Sequence, residues 1–168
     1  GDHVVSTLIE HNSVLRPLSE LARSGVITLT LVPPDADGRM DAREIERALT
    51  ARTRLVAMTH TSNVLGLEQD VAAVGAVCRR RGVLFHTDAV QAAGHIPLDV
   101  RELGCDMMSV SAHKLGGLRG AGLLYIRRGL ELQPLICGGG QENGLRSGTE
   151  NTAAIVSMGA AMEYACGD

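Results

Sequence analysis

The sequence alternates between strand-like and helix-like segments joined by short connections, and this alternation constrains its fold more than any other feature. Apolar and β-branched residues predict strands over 3–9, 26–32, 55–59, 83–86, 107–111 and 122–126. Helical spacing of apolar residues predicts helices that begin at Pro17, Asp41 and about Asn151, and a helix from Val71 to Arg81 that ends at Gly82. Strands that alternate with helices favour an α/β fold, with three α/β/α layers around a mostly parallel sheet.

Length and composition exclude several classes of protein. A chain of 168 residues with no internal repeat can close a single hydrophobic core. Its three aromatic residues and net charge of −3 argue against a nucleic-acid binder, which needs stacking platforms and a positive field. No apolar run is long enough to cross a bilayer and no basic–apolar leader opens the chain. We therefore expect a cytoplasmic protein that contacts neither membrane nor nucleic acid.

Lysine occurs once in the sequence. Of the 16 lysine and arginine residues, only Lys114 is a lysine. Arginine serves as well as lysine for surface charge, but it cannot lose its proton near neutral pH or form an imine with an aldehyde. Lys114 is therefore a candidate catalytic residue, although codon bias can also leave one lysine on a surface.

Polar side chains cluster directly after the predicted strands. Ligands of parallel α/β sheets bind beyond the carboxyl ends of the strands, so chemistry is expected at these positions. The residues found there are Glu10, His11, His60, Thr61, Ser62, Asn63, Asp88, Gln91, Ser111, His113 and Lys114.

Asp88 and Lys114 follow neighbouring predicted strands, and two interpretations fit them. One is an ordinary ion pair. The other is a site for pyridoxal 5′-phosphate, whose aldehyde forms an imine with a lysine while an aspartate keeps its pyridine nitrogen protonated. In that site Gln91 could donate to the phenolate oxygen of the ring, and His11 could lie over the ring face. The spacing alone does not choose between the two interpretations.

The remaining motifs carry weaker signals. Gly116–Gly122 (GGLRGAG) precedes a strand rather than a helix, which predicts a turn and not a dinucleotide loop. Gly138–Asn151 is either an ordinary loop or an anion site formed by a hydroxyl, Arg146 and a helix N-terminus. No two histidines have i, i+4 spacing and no Cys-x-x-Cys occurs, so no metal site is expected. The four cysteines are expected to be small buried hydrophobes.

Five segments point to a family. They are EHNSVLRP (Glu10–Pro17), THTSNVLG (Thr59–Gly66), HTDAVQAAG (His86–Gly94), SVSAHK (Ser109–Lys114) and GGGQENGLRSGTEN (Gly138–Asn151). In this order they resemble the cysteine desulfurases and selenocysteine lyases, which belong to the class V aminotransferase-like group of fold-type I pyridoxal phosphate enzymes. The resemblance covers essentially the whole chain and implies the large-domain fold of those enzymes.

The resemblance implies a role for each of eight residues. Lys114 would carry the cofactor and move protons, and His11 would stack on the cofactor ring; these two are the predicted catalytic residues. Asp88 would bind the pyridine nitrogen and Gln91 the phenolate oxygen. The other implied cofactor contacts are Asn63 near the phenolate and substrate side, Ser111 and His113 at the phosphate, and Thr149, which would reach the phosphate of a neighbouring subunit.

The resemblance also implies what accompanies this chain. Family members are substantially longer, and their glycine–alanine–threonine phosphate turn, small domain and sulfur-accepting cysteine have no counterpart here. We therefore expect residues 1–168 to be a single partial domain, the central part of the large domain, which is inactive alone. A homodimer and a sulfur-acceptor protein for iron–sulfur cluster biogenesis are the implied partners.

Three functions remain open on the sequence. The first is a desulfurase that converts cysteine to alanine and transfers the sulfur to an enzyme cysteine outside this chain. The second is a selenocysteine lyase or another pyridoxal phosphate β-lyase, because Val64 and Leu65 replace the Glu–Thr of one subgroup and leave the branch undecided. The third is a scaffold or interaction module without a cofactor. The resemblance favours the first.

Overall fold

The computed structural model describes residues 1–167 as a six-stranded sheet with helices. The strands are β1 (Asp2–Thr7), β2 (Ile27–Val32), β3 (Thr53–Thr59), β4 (Leu84–Asp88), β5 (Met107–Ser111) and β6 (Gly122–Ile126). The α-helices are α1 (Asn12–Arg23), α2 (Ala42–Ala48), α3 (Val71–Arg81), α4 (Val100–Leu103) and α5 (Thr152–Cys166). Short 3-10 helices cover Ala112–Lys114 and Glu142–Gly144.

The strand order is β2-β1-β3-β4-β5-β6, and all neighbouring pairs are parallel except β5 with β6. The chain leaves β1 for β2 on one side and then returns to place β3 on the other side of β1. Such a reversal opens a crevice at the carboxyl ends of the two central strands, where α/β sheets bind their ligands. The topology therefore locates a candidate site beyond β1 and β3.

The central strands are buried on both faces. In β1 and β3, runs of consecutive residues are buried, whereas a strand with one wet face would alternate. The core combines Val5, Val56 and Phe85 from the strands with Ile45 and Val74 from helices α2 and α3. The predicted α/β architecture around a mostly parallel sheet is confirmed.

Three helices begin at the capping residues that the sequence contains. The carboxylates of Asp41 and Asp70 and the side-chain oxygen of Asn151 each accept a hydrogen bond from a backbone N–H in the first turn of α2, α3 and α5, respectively. Helix α3 ends at Gly82, whose φ of 63° is the left-handed conformation that glycine adopts without strain. These local interactions explain why the predicted bounds of α3 are confirmed.

Helix α1 differs from the sequence prediction, because it begins at Asn12 and contains Pro17 in its interior. His11 caps the helix: its Nδ1 accepts a hydrogen bond of 3.1 Å from the backbone N–H of Ser13. This cap starts the helix more than one turn earlier than Pro17, at the expense of one helical hydrogen bond that proline cannot donate. The prediction that the helix begins at Pro17 was wrong.

The cysteines are only partly buried. Cys78 and Cys105 lie in the core as expected, and burial raises the pKa of the Cys78 thiol to about 12. Cys137 is exposed on a loop outside the core, so the expectation was wrong for this residue. The side chain of Cys166 lies outside what the structure describes.

Among residues 1–167, no helix combines the length and apolar character that a membrane crossing requires.

Close packing of α3 against the end of α4 gives a test of the fold. A methyl group on Gly75 would overlap the carbonyl oxygen of Leu103, so we expect Gly75→Ala to lower the free energy of unfolding by about 2 kcal/mol or more. Gly159 in α5 meets nothing within 4 Å, and Gly159→Ala is the matched control. It should be neutral or raise stability by up to about 1 kcal/mol. Urea unfolding of both variants measures the difference. Equal changes in the free energy of unfolding would contradict the close packing of α3 against the end of α4.

Candidate functional site

The carboxyl ends of β3, β4 and β5 meet at one edge of the sheet, with Asp88 in the middle. In the strand register, Thr59 of β3 pairs with Asp88 of β4, and Asp88 pairs with Ser109 of β5. The backbone bonding continues past the strands, because the N–H of His60 donates to the Asp88 carbonyl at 2.8 Å. On the other side, the N–H of Ala89 donates to the Ser109 carbonyl at 3.0 Å. The position of Asp88 is therefore fixed from both sides.

The Asp88 carboxyl group is buried, with 7% of the residue exposed. Its Oδ1 accepts a hydrogen bond of 3.0 Å from the backbone N–H of Val90, which turns the chain away from the sheet. Gln91 follows in the same turn and is half-buried. The structure thus places Gln91 three residues after Asp88, in the turn that follows β4.

Lys114 follows the neighbouring strand β5 at the end of a 3-10 helix. The buried Ala112 anchors this segment: its carbonyl accepts hydrogen bonds from the N–H groups of Leu115 and Gly117 at 3.0 and 2.9 Å. Lys114 is exposed on this anchored turn. The sheet therefore brings Asp88 and Lys114 to adjacent strand ends, as the sequence predicts.

The charges of Asp88 and Lys114 are unpaired. Neither residue takes part in any ion pair of the part of the chain that the structure describes. Asp106 shows the usual arrangement, since its carboxylate pairs with Arg127 at 2.6 Å. A buried carboxylate without a cation is unfavourable unless a ligand supplies the positive charge. The protonated nitrogen of a pyridine ring fits this requirement, and the Lys114 amine is available to an aldehyde.

His11 lies at the switch point of the sheet, between β1 and α1. Its Nδ1 is 3.1 Å from the Ser13 backbone nitrogen and 2.7 Å from Ser13 Oγ. Because the backbone N–H donates to Nδ1, the proton of the neutral ring is assigned to Nε2. The cap holds the exposed imidazole at the carboxyl edge, where a flat ligand could lie under it.

Ser111 and His113 are brought together in the segment before Lys114. Ser111 Oγ and His113 Nδ1 are 2.8 Å apart, and His113 is exposed. A hydroxyl and an imidazole in contact form a donor set that suits a phosphate group. These two residues therefore stay candidates for an anion site beside Lys114.

Asn63 and Thr149 are less closely tied to the site. Asn63 is exposed in the turn that follows β3, beside the buried Ser62. Thr149 is exposed in the segment before α5, and within residues 1–167 no hydrogen bond joins it to the other predicted site residues. An exposed position of this kind is available to a second subunit.

Two residues at this edge were not assigned a role from the sequence. Glu10 is buried between β1 and β3. His86 lies two residues before Asp88 on β4, and its Nε2 is 2.8 Å from Ser109 Oγ. Burial lowers the pKa of His86, with Asp88 opposing that shift, and burial also lowers the pKa of His60. The sequence places Glu10 directly after a strand, among the other polar residues found there, but it does not indicate which groups Glu10 contacts.

No group of three or more metal-binding side chains occurs in residues 1–167.

Comparison with known proteins decides the family. The family described as aminotransferase class-V matches residues 1–167. The chain belongs to the class V aminotransferase family. Cysteine desulfurases and class V aminotransferases are enzymes that use pyridoxal phosphate, which agrees with the unpaired Asp88 and Lys114.

Relatives with curated names share this family. The chain is 42% identical over 165 residues to a protein of Clostridium botulinum (strain Hall) named cysteine desulfurase IscS, and covers 41% of it. It is 44% identical over 167 residues to the protein of the same name from Vibrio atlanticus, again covering 41%. In both comparisons 98% of this chain is matched. The chain therefore spans about two-fifths of the length of these relatives.

Solved structures of the family have the same fold. A structure titled SspA in complex with cysteine superposes with a TM-score of 0.94 at 39% identity, covering 97% of this chain and 47% of the other. A structure titled NifS-like protein superposes with a TM-score of 0.93 at 40% identity, covering 98% of this chain and 45% of the other. The resemblance identified from the five segments is confirmed.

The contrast between Asp88 and Asp106 gives a test of the site. Asp88→Asn keeps an acceptor for Val90 and removes a buried charge that has no cation, so we expect stability without cofactor to stay equal or to rise by about 1 kcal/mol. Asp106→Asn weakens a partly buried pair with Arg127 and should destabilise the protein by about 1–2 kcal/mol. Denaturant unfolding measures both changes. A clear loss of stability in Asp88→Asn would show that Asp88 has a structural partner.

Proposed function

We propose that residues 1–168 form the cofactor-binding part of a pyridoxal phosphate-dependent cysteine desulfurase. The observation that carries the proposal is the pair Asp88 and Lys114 at adjacent ends of parallel strands. Asp88 is a buried carboxylate with no ion pair within residues 1–167, and Lys114 is the single lysine of the sequence. Similarity to proteins named cysteine desulfurase over 98% of the chain supports it. The activity is proposed for the complete protein, since this chain spans 41% of those relatives.

Each site residue has a proposed task toward the cofactor. Lys114 would bind the cofactor aldehyde through its amine, and the same amine would move a proton at the substrate α-carbon. Asp88 keeps the pyridine nitrogen protonated, and His11 stacks on the ring. Pyridoxal phosphate, when bound, supplies an electron-withdrawing ring that stabilises negative charge on the substrate. The remaining contacts are Gln91 and Asn63 at the phenolate side, and Ser111, His113 and Thr149 at phosphate groups.

The proposed substrate is cysteine, with alanine as the carbon product. The sulfur atom passes to an enzyme thiol, which becomes a persulfide, so that no oxidant or reductant is needed. We place this thiol outside the present chain. Cys78 and Cys105 are unsuited to the task, because they are buried and burial raises the pKa of both thiols.

The proposed partners follow from the same assignment. We propose a homodimer in which Thr149 contacts the cofactor phosphate of the neighbouring subunit, and the exposure of Thr149 supports this. A sulfur-acceptor protein would take the persulfide sulfur. We propose the cytoplasm as the location.

A cofactor titration of the complete protein tests the proposal. We expect a saturable visible band on addition of pyridoxal phosphate, and borohydride reduction should fix the label on the peptide that contains Lys114. Lys114→Arg keeps the charge but cannot form the covalent bond, so its band and label should be lost. Absorbance and peptide mass measure the two results.

Each other outcome has a defined meaning. A label on a different lysine, or a band that survives in Lys114→Arg, would contradict the assignment of Lys114. Absence of any band from the complete protein would favour the scaffold without cofactor. With a labelled Lys114, turnover of selenocysteine but not cysteine would replace the desulfurase with a selenocysteine lyase.

A further inference from the structure

Glu10 is a buried carboxyl group at the switch point, one residue before His11. It is 7% exposed, and both hydrogen bonds to it fall on a single oxygen. Oε1 accepts from Thr7 Oγ1 at 2.6 Å and from the backbone N–H of Thr59 at 2.7 Å. Thr7 ends β1 and Thr59 ends β3, so one side chain joins the ends of the two central strands.

This bond extends the sheet beyond its own pairing. The backbone register of β1 with β3 ends at Val5 and Val56, three residues before Thr59. The Glu10 carboxyl group therefore supplies the acceptor that a longer β1 would have given to the Thr59 N–H. Thr59 in turn is the register partner of Asp88. The two hydrogen bonds to Glu10 Oε1 thus connect the turn that carries His11 to β3, the strand beside Asp88.

The second oxygen of Glu10 is in an unfavourable position for a negative charge. Oε2 is buried and has no hydrogen-bond partner among the residues that the structure describes. The charged group that acts on Glu10 is Asp88 of β4, whereas β1 and β3 present the uncharged Thr7 and Thr59. Burial raises the pKa of Glu10 to about 7, the two hydrogen bonds to Oε1 oppose this shift, and Asp88 adds to it.

We propose that Glu10 is a positioning residue that clamps the turn before His11 to the end of β3, and that it does so in its neutral, protonated form. A neutral Glu10 leaves Asp88 as the negative charge at this edge that faces a cationic ligand. The role of Glu10 in cofactor binding rests on the proposed function. The protonation of Glu10 in the cofactor-free protein does not depend on that function.

Protonation predicts the direction of a pH effect on stability. The native state holds the Glu10 proton up to about pH 7, whereas the ordinary value of 4.5 applies to the unfolded chain. The contribution of Glu10 to stability is therefore fully present below about pH 4.5 and is lost as the pH rises to about 7. Glu10→Gln has the same shape and no proton to lose. Relative to this variant, the folding equilibrium of the unchanged protein should fall by about 100-fold between those pH values.

The first experiment measures unfolding of the cofactor-free complete protein between pH 4.5 and 8. We compare the unchanged protein, Glu10→Gln and Glu131→Gln, which removes one carboxyl group from an exposed loop and reports the effect of a lost charge by itself. The proposal requires the gap between the unchanged protein and Glu10→Gln to widen with pH, beyond that of Glu131→Gln. If the stability of the unchanged protein and that of Glu10→Gln changed in parallel with pH, the proposal that Glu10 is protonated would be overturned.

The second experiment measures retention of pyridoxal phosphate, and it separates positioning from simple folding. Glu10→Gln keeps an acceptor for Thr7 and Thr59 and should retain the cofactor with an affinity within about threefold of the unchanged protein. Glu10→Ala removes both hydrogen bonds. Thr7→Val removes one of them and replaces Glu10→Ala if that variant does not fold. Either variant should weaken cofactor retention about tenfold, as the loss of one buried hydrogen bond predicts. Equal retention in all variants, or loss in Glu10→Gln as large as in Glu10→Ala, would overturn the clamp. An unchanged protein that binds no cofactor would contradict the proposed function and leave the pH experiment as the test of Glu10.

Discussion

The backbone pairing of β4 with β3 on one side and β5 on the other is the constraint on which the candidate site depends. It fixes Asp88 between Thr59 and Ser109, and hydrogen bonds from His60 and Ala89 continue the pairing past the strands. Asp88 cannot move away from the edge without breaking bonds on both sides. An adaptable loop would let this charge turn toward solvent, whereas the sheet, whose core supplies the stability, holds it in its buried position.

Two buried carboxyl groups at this edge lack a partner that such groups usually have. The partly buried Asp106 pairs with Arg127, whereas within residues 1–167 Asp88 has no ion pair and Glu10 has one oxygen without a hydrogen-bond partner. Departures from complete pairing are expected where a ligand binds, because the groups that contact it must remain available. Lys114 adds an amine without an anion on the neighbouring strand end. The electrostatics and the topology thus indicate the same place.

The elements that could be predicted from the sequence are those with strong local signals. Helix α3 has Asp70 before it and Gly82 after it, and both bounds were predicted. Helix α1 was misplaced because Pro17 gives a strong local start signal, whereas the actual cap is the imidazole of His11, which is an uncommon capping group. Helix α4 (Val100–Leu103) has only four residues, which is too short for a period to be recognised. The exposed Cys137 was missed because residue type alone does not report whether a loop leaves the core.

The sequence by itself determined the class of fold, the single lysine and the polar residues that follow each strand, since periodicity and residue type are local properties. Only the tertiary structure decided that β3 lies beside β1, and therefore that the carboxyl group of Glu10 meets the backbone of Thr59 49 positions away. It also decided that Asp88 is buried and forms no ion pair with any residue that the structure describes. Strand order and burial arise from packing between segments far apart in the chain, and the spacing of residues within one segment carries no information about them.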